Sequence, residues 1–289
     1  MREIVVCGEA LVDVVATDRV ARGSGRPLSP LQPALGGGPF NVAVTLGRLG
    51  SAVSFLSAVS SDTYGTAILD ALQASGVGTA FVQRRDEPTS LALATVGDDG
   101  AAHYSFYVGG TADRAVGDPG SLPATVAAVC FGTLSLVLEP GATVYENLLR
   151  RCHDDGRLVA LDPNIRAAVI DDADAYRRRF RAWMPFVDVV KLSDEDAAFL
   201  ASGTDGSGAQ DWIDNGVTAV VTTAGADGLS IRTAGDTVTV SAPEVDVVDT
   251  IGAGDSIMGG VLHGLDRLGA LTPAAVGSLG SEQWRSVAE

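Results

Sequence analysis

Short β-branched and aliphatic runs alternate along the chain with longer stretches in which apolar positions recur every three or four residues. Ile4–Val6 and Leu11–Val15 read as strands, Phe40–Leu49 as a helix with Val44, Leu46 and Leu49 apolar, and Val53–Ser57 as a strand. Gly65–Ala74 reads as a helix with Ile68, Ala71 and Leu72 on one side. Further strands are predicted at Val126–Phe131, Leu158–Leu161, Val187–Val190 and Ala219–Thr222, separated by helix-length segments. Such alternation predicts parallel βαβ units, hence an α/β fold whose doubly wound, mainly parallel sheet is flanked by helices.

Two segments break the alternation. Ser90–Val96 and His103–Tyr107, joined by Gly97-Asp98-Asp99-Gly100, predict a β-hairpin, and residues 18–35 are a Gly-, Pro-, Arg- and Ser-rich connection. Segments of about 11–35 and 88–110 are expected to form a small β-sheet lid, too small to bury its own core. Residues 1–289 therefore read as a single domain carrying that lid.

Composition narrows the function. With 20 Lys+Arg against 36 Asp+Glu, the formal charge of −16 disfavours nucleic acid and anionic membranes as partners. No apolar run reaches ~18 residues, the length a membrane span needs, and Met1–Glu9 has no long apolar core of a signal peptide. Cys7, Cys130 and Cys152 lack CxxC spacing and fit reduced thiols in the cytoplasm. His103, His153 and His263 show no metal-ligand spacing. Lys191 is the sole lysine, so no GxxxxGK[ST] phosphate loop exists. An anionic ligand must be held by backbone amides, single arginines or a metal.

Val247–Met258 offers such a device. Apolar Ile257, Met258, Val261, Leu262 and Leu265 form a helical stripe, so Gly252-Ala253-Gly254 sits where a loop enters a helix. Small residues there let unsatisfied first-turn amides approach a phosphate, aided by the helix dipole and without a lysine. Asp255 has two readings: a carboxylate taking the proton of an acceptor hydroxyl, or a residue stabilising the first helical turn. A dinucleotide fingerprint fails because Ile257 holds the third glycine position.

Asp249-Thr250-Ile251-Gly252-Ala253-Gly254-Asp255 resembles the C-terminal signature of the ribokinase-like (PfkB) carbohydrate kinases. Gly36-Gly37-Gly38-Pro39-Phe40-Asn41-Val42-Ala43 with Leu46-Gly47-Arg48-Leu49-Gly50 is similar to their N-terminal signature. The resemblance implies a ribokinase-like fold and makes Asp255 the general base with Gly252, Ala253 and Gly254 as the anion hole. It implies a sugar cradle of Asp13, Gly37, Gly38 and Asn41, with Phe106 and Arg166 also facing substrate. Asp13 could otherwise be a surface carboxylate, Asn41 a helix cap, and Arg114 a cover for the lid's stem or a partner for a substrate carboxylate. Glu139 is aligned loosely with a sugar-facing position.

On the nucleotide side the family's N-x-x-E motif falls on Ser193 and Asp196, where Asp196 would organise Mg²⁺ through water. A capping box is the alternative for that pair. Thr223, Gly225 and Gly228 match an ATP-binding turn, Asp249 a K⁺ position, and family members usually add helical sequence around the adenine beyond Glu289. The implied activity is transfer of the γ-phosphoryl of Mg·ATP to a primary hydroxyl, foremost D-fructose to fructose 6-phosphate. A 2-keto-3-deoxygluconate kinase and a non-catalytic sugar-binding protein are the alternatives. The lid edge could pair two subunits into a homodimer.

Overall fold

Strand β1 (Glu3–Cys7) has Ile4, Val5, Val6 and Cys7 all buried, which only a strand covered on both faces requires. In this computed structural model, which describes residues 2–16, 30–96, 102–202, 208–246 and 251–289, β1 lies in the interior of a nine-stranded sheet, third from one edge. Its neighbours are β4 (Val53–Ser60) on one side and β8 (Val126–Gly132) on the other. Beyond β4 comes β5 (Gly78–Arg85). Beyond β8 follow β9 (Leu158–Asp162), β10 (Val189–Ser193) and β11 (Ala219–Thr223), all parallel. Antiparallel β12 (Leu229–Thr233) and β13 (Thr237–Val240) finish that edge. The chain order thus reverses between β1 and β8, and open α/β sheets bind ligands outside such a switch point.

Helices cover both faces. One core joins Ile4 and Val6 to α1 (Gly38–Leu49), α2 (Thr63–Ala74), α7 (Ala253–Arg267), α8 (Pro273–Gly277) and α9 (Ser281–Ala288). The other joins Val5 and Cys7 to α3 (Gly141–Asp154), α4 (Ala173–Trp183), α5 (Asp194–Ala201) and α6 (Ala209–Asp214). The doubly wound architecture expected from the alternation is therefore present. Strands β5 and β13 were not foreseen, since neither carries the aliphatic run of a central strand.

A second sheet has the order β3-β2-β6-β7, built from β2 (Leu11–Ala16), β3 (Leu31–Gly36), β6 (Leu91–Val96) and β7 (Ala102–Tyr107). Its strands come from the two segments expected to form the lid, and β6 and β7 pair as the predicted hairpin. The hairpin's turn at 97–100 and residues 18–29 of the long connection lie outside the described residues. This sheet keeps only a small apolar contact, Leu11, Ala92 and Leu134 with Phe106, Val108, Leu138 and Val169.

Helices α1 and α7 pack side by side, and this packing fixes the site, because Asn41 rides on one and Asp255 on the other. Gly259 makes the approach close: a Cβ there would meet Thr45 Cγ2 at 2.7 Å and Thr45 Cβ at 2.8 Å. Gly259→Val is expected to lower stability by about 1–3 kcal/mol through overpacking, read as a lower urea midpoint. An unchanged midpoint would show that α1 and α7 can part freely.

Candidate active site

The C-terminal ends of β1, β8, β9, β10 and β11 open into a cleft of about 820 Å³ beneath the second sheet. It gathers Asp13, Gly37, Gly38, Asn41, Phe106, Arg166, Ser193, Asp196, Thr223, Gly252, Gly254 and Asp255, residues scattered over most of the sequence. Ala253, Gly225 and Gly228 are not part of its wall. Ala253 is exposed at the first helical position, and Gly225 is exposed in the turn after β11. Gly228 has a structural reason to be glycine, because at φ 95 a Cβ would stand 2.1 Å from Val240 O. Asp249 lies outside the described residues.

Asp255 is the third residue of α7 and only 7 % exposed. Its Oδ2 accepts from Asn41 Nδ2 at 2.9 Å and its Oδ1 from Asn164 Nδ2 at 3.0 Å. Both donors come from other elements, and α7 has no side-chain cap. The carboxylate therefore points across the cleft and not back at its own amides. Gly252 begins the helix in the left-handed region at φ 76, a conformation that favours glycine. The first-turn amides that follow have no acceptor within the helix, as at any helix start. Burial raises the Asp255 pKa, opposed by the Asn41 hydrogen bond and the nearby Lys191 and Arg166 charges.

The surroundings are built around that carboxylate. Gly38 must be small, since a Cβ would sit 2.5 Å from Thr133 Cγ2 and 3.3 Å from Asp255 Oδ1. Asn41 does not cap α1, whose N-cap is Gly37 at φ 107. Asp13 lies across the backbone of Gly36, where a Cβ would meet Asp13 Oδ2 at 2.0 Å. Its pKa is raised by burial and by the Asp255 charge, and lowered by Arg166. Arg166 Nη1 donates to Asn164 Oδ1 at 2.7 Å and to Asn164 O at 3.1 Å, so its charge orients the amide that binds Asp255.

Ser193 and Asp196 form a capping box on α5. Asp196 N donates to Ser193 Oγ at 3.1 Å, while Asp196 Oδ2 accepts from Ser193 N at 3.0 Å. Asp196 Oδ1 accepts from Ile165 N at 2.7 Å, tying α5 to the loop after β9. Thr223 Oγ1 donates to Leu192 O at 3.3 Å. Arg114 and Glu139 stand apart from the cleft wall. Arg114 donates to Val108 O and Glu139 O, and Glu139 pairs with Arg179 at 3.2 Å.

Three groups in the cleft escaped the sequence reading. Asn164, at φ 37, holds Asp255, and its signal was the Asp162-Pro163-Asn164-Ile165-Arg166 run after a strand. Lys191, which the expected anion site did not use, lines the cleft and pairs with Asp162 at 2.9 Å. The signal was a lone lysine inside an apolar strand. Glu9 is 2 % exposed, and both oxygens accept from the Thr133 and Ser135 hydroxyls. These bonds brace Thr133, a β-branched residue at φ 55.

The chain as a whole resembles known proteins. The profile of the pfkB family carbohydrate kinases matches residues 1–277. The chain belongs to that family. This pfkB carbohydrate kinase is 36 % identical over 286 residues to a fructokinase of Rhizobium leguminosarum bv. trifolii, covering 98 % of this chain and 86 % of that protein. The crystal structure of a fructokinase with bound ATP from Xylella fastidiosa superposes with TM-score 0.88 at 27 % identity, covering 99 % and 88 % of the two chains. An aminoimidazole riboside kinase from Salmonella enterica, complexed with aminoimidazole riboside and an ATP analogue, gives 0.77 at 26 % identity, covering 99 % and 91 %. The likeness makes this pfkB carbohydrate kinase a phosphotransferase with an alcohol acceptor and a ribokinase-like fold.

Burial pushes Glu9 up from its ordinary 4.5 to about 7, against the Ser135 and Thr133 hydrogen bonds that lower it. Between those pH values the folded chain holds a proton that the unfolded chain has released. The contribution of Glu9 to stability is therefore present below pH 4.5 and lost as pH rises through 7. At about 1.4 kcal/mol per pH unit, this amounts to about 3.5 kcal/mol. Urea unfolding of Glu9→Gln and the parent at pH 4.5 and pH 8 should show the variant gaining that much on the parent, and a constant difference would contradict it.

Proposed function

We propose that this enzyme phosphorylates a primary hydroxyl of a free sugar with ATP, foremost O6 of D-fructose. The observation that carries the reading is Asp255: a buried carboxylate held by Asn41 and Asn164 at the mouth of α7, sharing one cleft with Asp13. The match to fructokinases points to fructose as the sugar.

Asp13, Gly37, Gly38 and Asn41 hold the sugar under the lid sheet, with Phe106 closing over it. The acceptor hydroxyl then faces Asp255, which takes its proton as the oxygen attacks phosphorus. The amides of Gly252–Asp255 and the dipole of α7 receive the charge of the phosphoryl group. Arg166 keeps Asn164, and through it Asp255, in line. The lid keeps water from competing with the sugar. The whole 1–289 chain works as one such unit.

Thr223, with Ser193 and Asp196, lies where the nucleotide phosphates would rest. Mg²⁺ supplies charge neutralisation on the phosphates when bound. Among the described residues no three His, Cys, Asp or Glu side chains cluster as a protein-made metal cage. That fits an ion carried by phosphates and water, with the buried Asp196 as its outer carboxylate. K⁺ at Asp249 rests on the family likeness alone. No described helix is long and apolar enough to cross a membrane. The buried free thiols Cys7, Cys130 and Cys152 suit a reducing cytoplasm.

Release of ADP should depend on fructose and exceed that with ribose or 2-keto-3-deoxygluconate in a coupled assay. Asp255→Asn should lower kcat by about 10²–10⁴-fold while fructose still binds by calorimetry. Near-normal turnover in that variant would refute the assigned role, and no sugar-dependent ADP release would leave a binding protein. Edge strands β3 and β7 of the lid expose Leu31, Tyr104 and Tyr107, which we read as a homodimer contact. Light scattering at micromolar protein should give twice 29.5 kDa, and a monomer mass would refute it.

A further inference from the structure

Lys191 is the only lysine of the chain, and it is 2 % exposed in the middle of β10. Its one recorded hydrogen bond runs from Nζ to Asp162 Oδ2 at 2.9 Å. An ammonium carries three donors, so among the described residues two of its N–H bonds have no protein acceptor. Leaving donors unused on a buried charge is costly, and burial this deep is rare for lysine unless it is paired. The free donors also face somewhere specific. Lys191 lines the cleft, and a Cβ on Gly254 would stand 2.8 Å from Nζ. The ammonium thus lies directly against the first turn of α7, in the space that the absent side chain of Gly254 leaves open.

The other cations near the cleft are engaged elsewhere. Arg166 is exposed and folded onto Asn164, and Arg114 is bound to Val108 O and Glu139 O. Helix amides with a half-used buried ammonium beside them make an anion site of two independent parts. Asp162 has a different place in it. One oxygen holds Nζ at 2.9 Å, while Oδ1 has no partner, so Asp162 takes up only one of the three ammonium donors.

We propose that Lys191 is a catalytic residue of the transfer, its ammonium donating to the equatorial oxygens of the migrating phosphoryl group from beside Gly254. The proposal deepens the kinase reading above and rests on it. In the step the bond from phosphorus to the β-phosphate bridging oxygen breaks, and its electron pair leaves with ADP. The bond from phosphorus to the acceptor oxygen forms, and the hydroxyl proton goes to Asp255. Lys191 keeps its proton throughout and contributes charge only. Gly254 then has a second reason to be glycine: any side chain there would push the ammonium away from the phosphoryl group.

A single lysine gives a single side-chain resonance, so the intact parent protein can report directly. Protein labelled with ¹⁵N- and ¹³C-lysine is titrated with Mg·ADP, then with Mg·ADP plus tetrafluoroaluminate, the planar mimic of the transferred group, with and without fructose. The lysine Nζ and Cε signals are expected to move with tetrafluoroaluminate and not with ADP alone. Equal shifts with both, or none with either, would overturn the assignment. The Asp162→Asn, Lys191→Met double variant removes both charges together and so leaves no unpaired buried charge. It should lower kcat by about 10²–10³-fold with the KM for fructose unchanged, and turnover within threefold of the parent would also overturn it. If fructose drives no ADP release, the substrate reading fails, while a lysine response to tetrafluoroaluminate would still stand. A fructose-active enzyme with a silent lysine sinks only this inference.

Discussion

A carboxylate almost out of reach of water, set at the positive end of a helix, is the constraint around which this molecule is arranged. Desolvation favours the neutral form of Asp255, yet the proposed role as base requires it to be charged. Two amide donors and two nearby cations oppose that tendency, and they come from three parts of the fold: Asn41 from α1, Asn164 and Arg166 from the loop after β9, and Lys191 from β10. Losing any one would shift the balance without touching the carboxylate itself.

The sheet topology is what allows those elements to converge. Parallel strands present all their C-terminal ends on one side, and the reversal between β1 and β8 opens the gap in which α1 and α7 meet. Strain gathers at the same place. Thr133 and Asn164, the two described non-glycine residues with positive φ, come one and two residues after β8 and β9 and both lie against Gly38 or Asp255. Such backbones persist only where the surroundings over-determine them. Glu9 does this for Thr133 and Arg166 for Asn164.

The fold was readable because its signals are local. Aliphatic runs such as Leu158–Leu161 and Ala219–Val221 can only be strands buried on both faces, and the stripe from Ile257 to Leu265 can only be a helix. Gly252–Asp255 was readable for the same reason, since a helix start needs few residues to declare itself. The partners of Asp255 were less visible, because Asn164 lies 91 residues away and acts through a side chain that any loop might carry. Asn41 was read as a sugar contact or a cap, and the structure shows its amide bound to Asp255. Lys191 was used only to exclude a phosphate loop, because sequence spacing says nothing of which strand end meets which helix start. Gly228, which matches a nucleotide turn, also has a packing reason to be glycine in the close backbone of β13, and the sequence alone did not show it.

The most direct test is a crystal structure with fructose and a non-hydrolysable ATP analogue bound together. A sugar hydroxyl oxygen within hydrogen-bonding distance of Asp255, about 2.6–3.2 Å, is expected, with the terminal phosphate seated on the amides of Gly252–Asp255. A sugar bound with its hydroxyls turned from Asp255, or a phosphate resting away from the start of α7, would contradict the account.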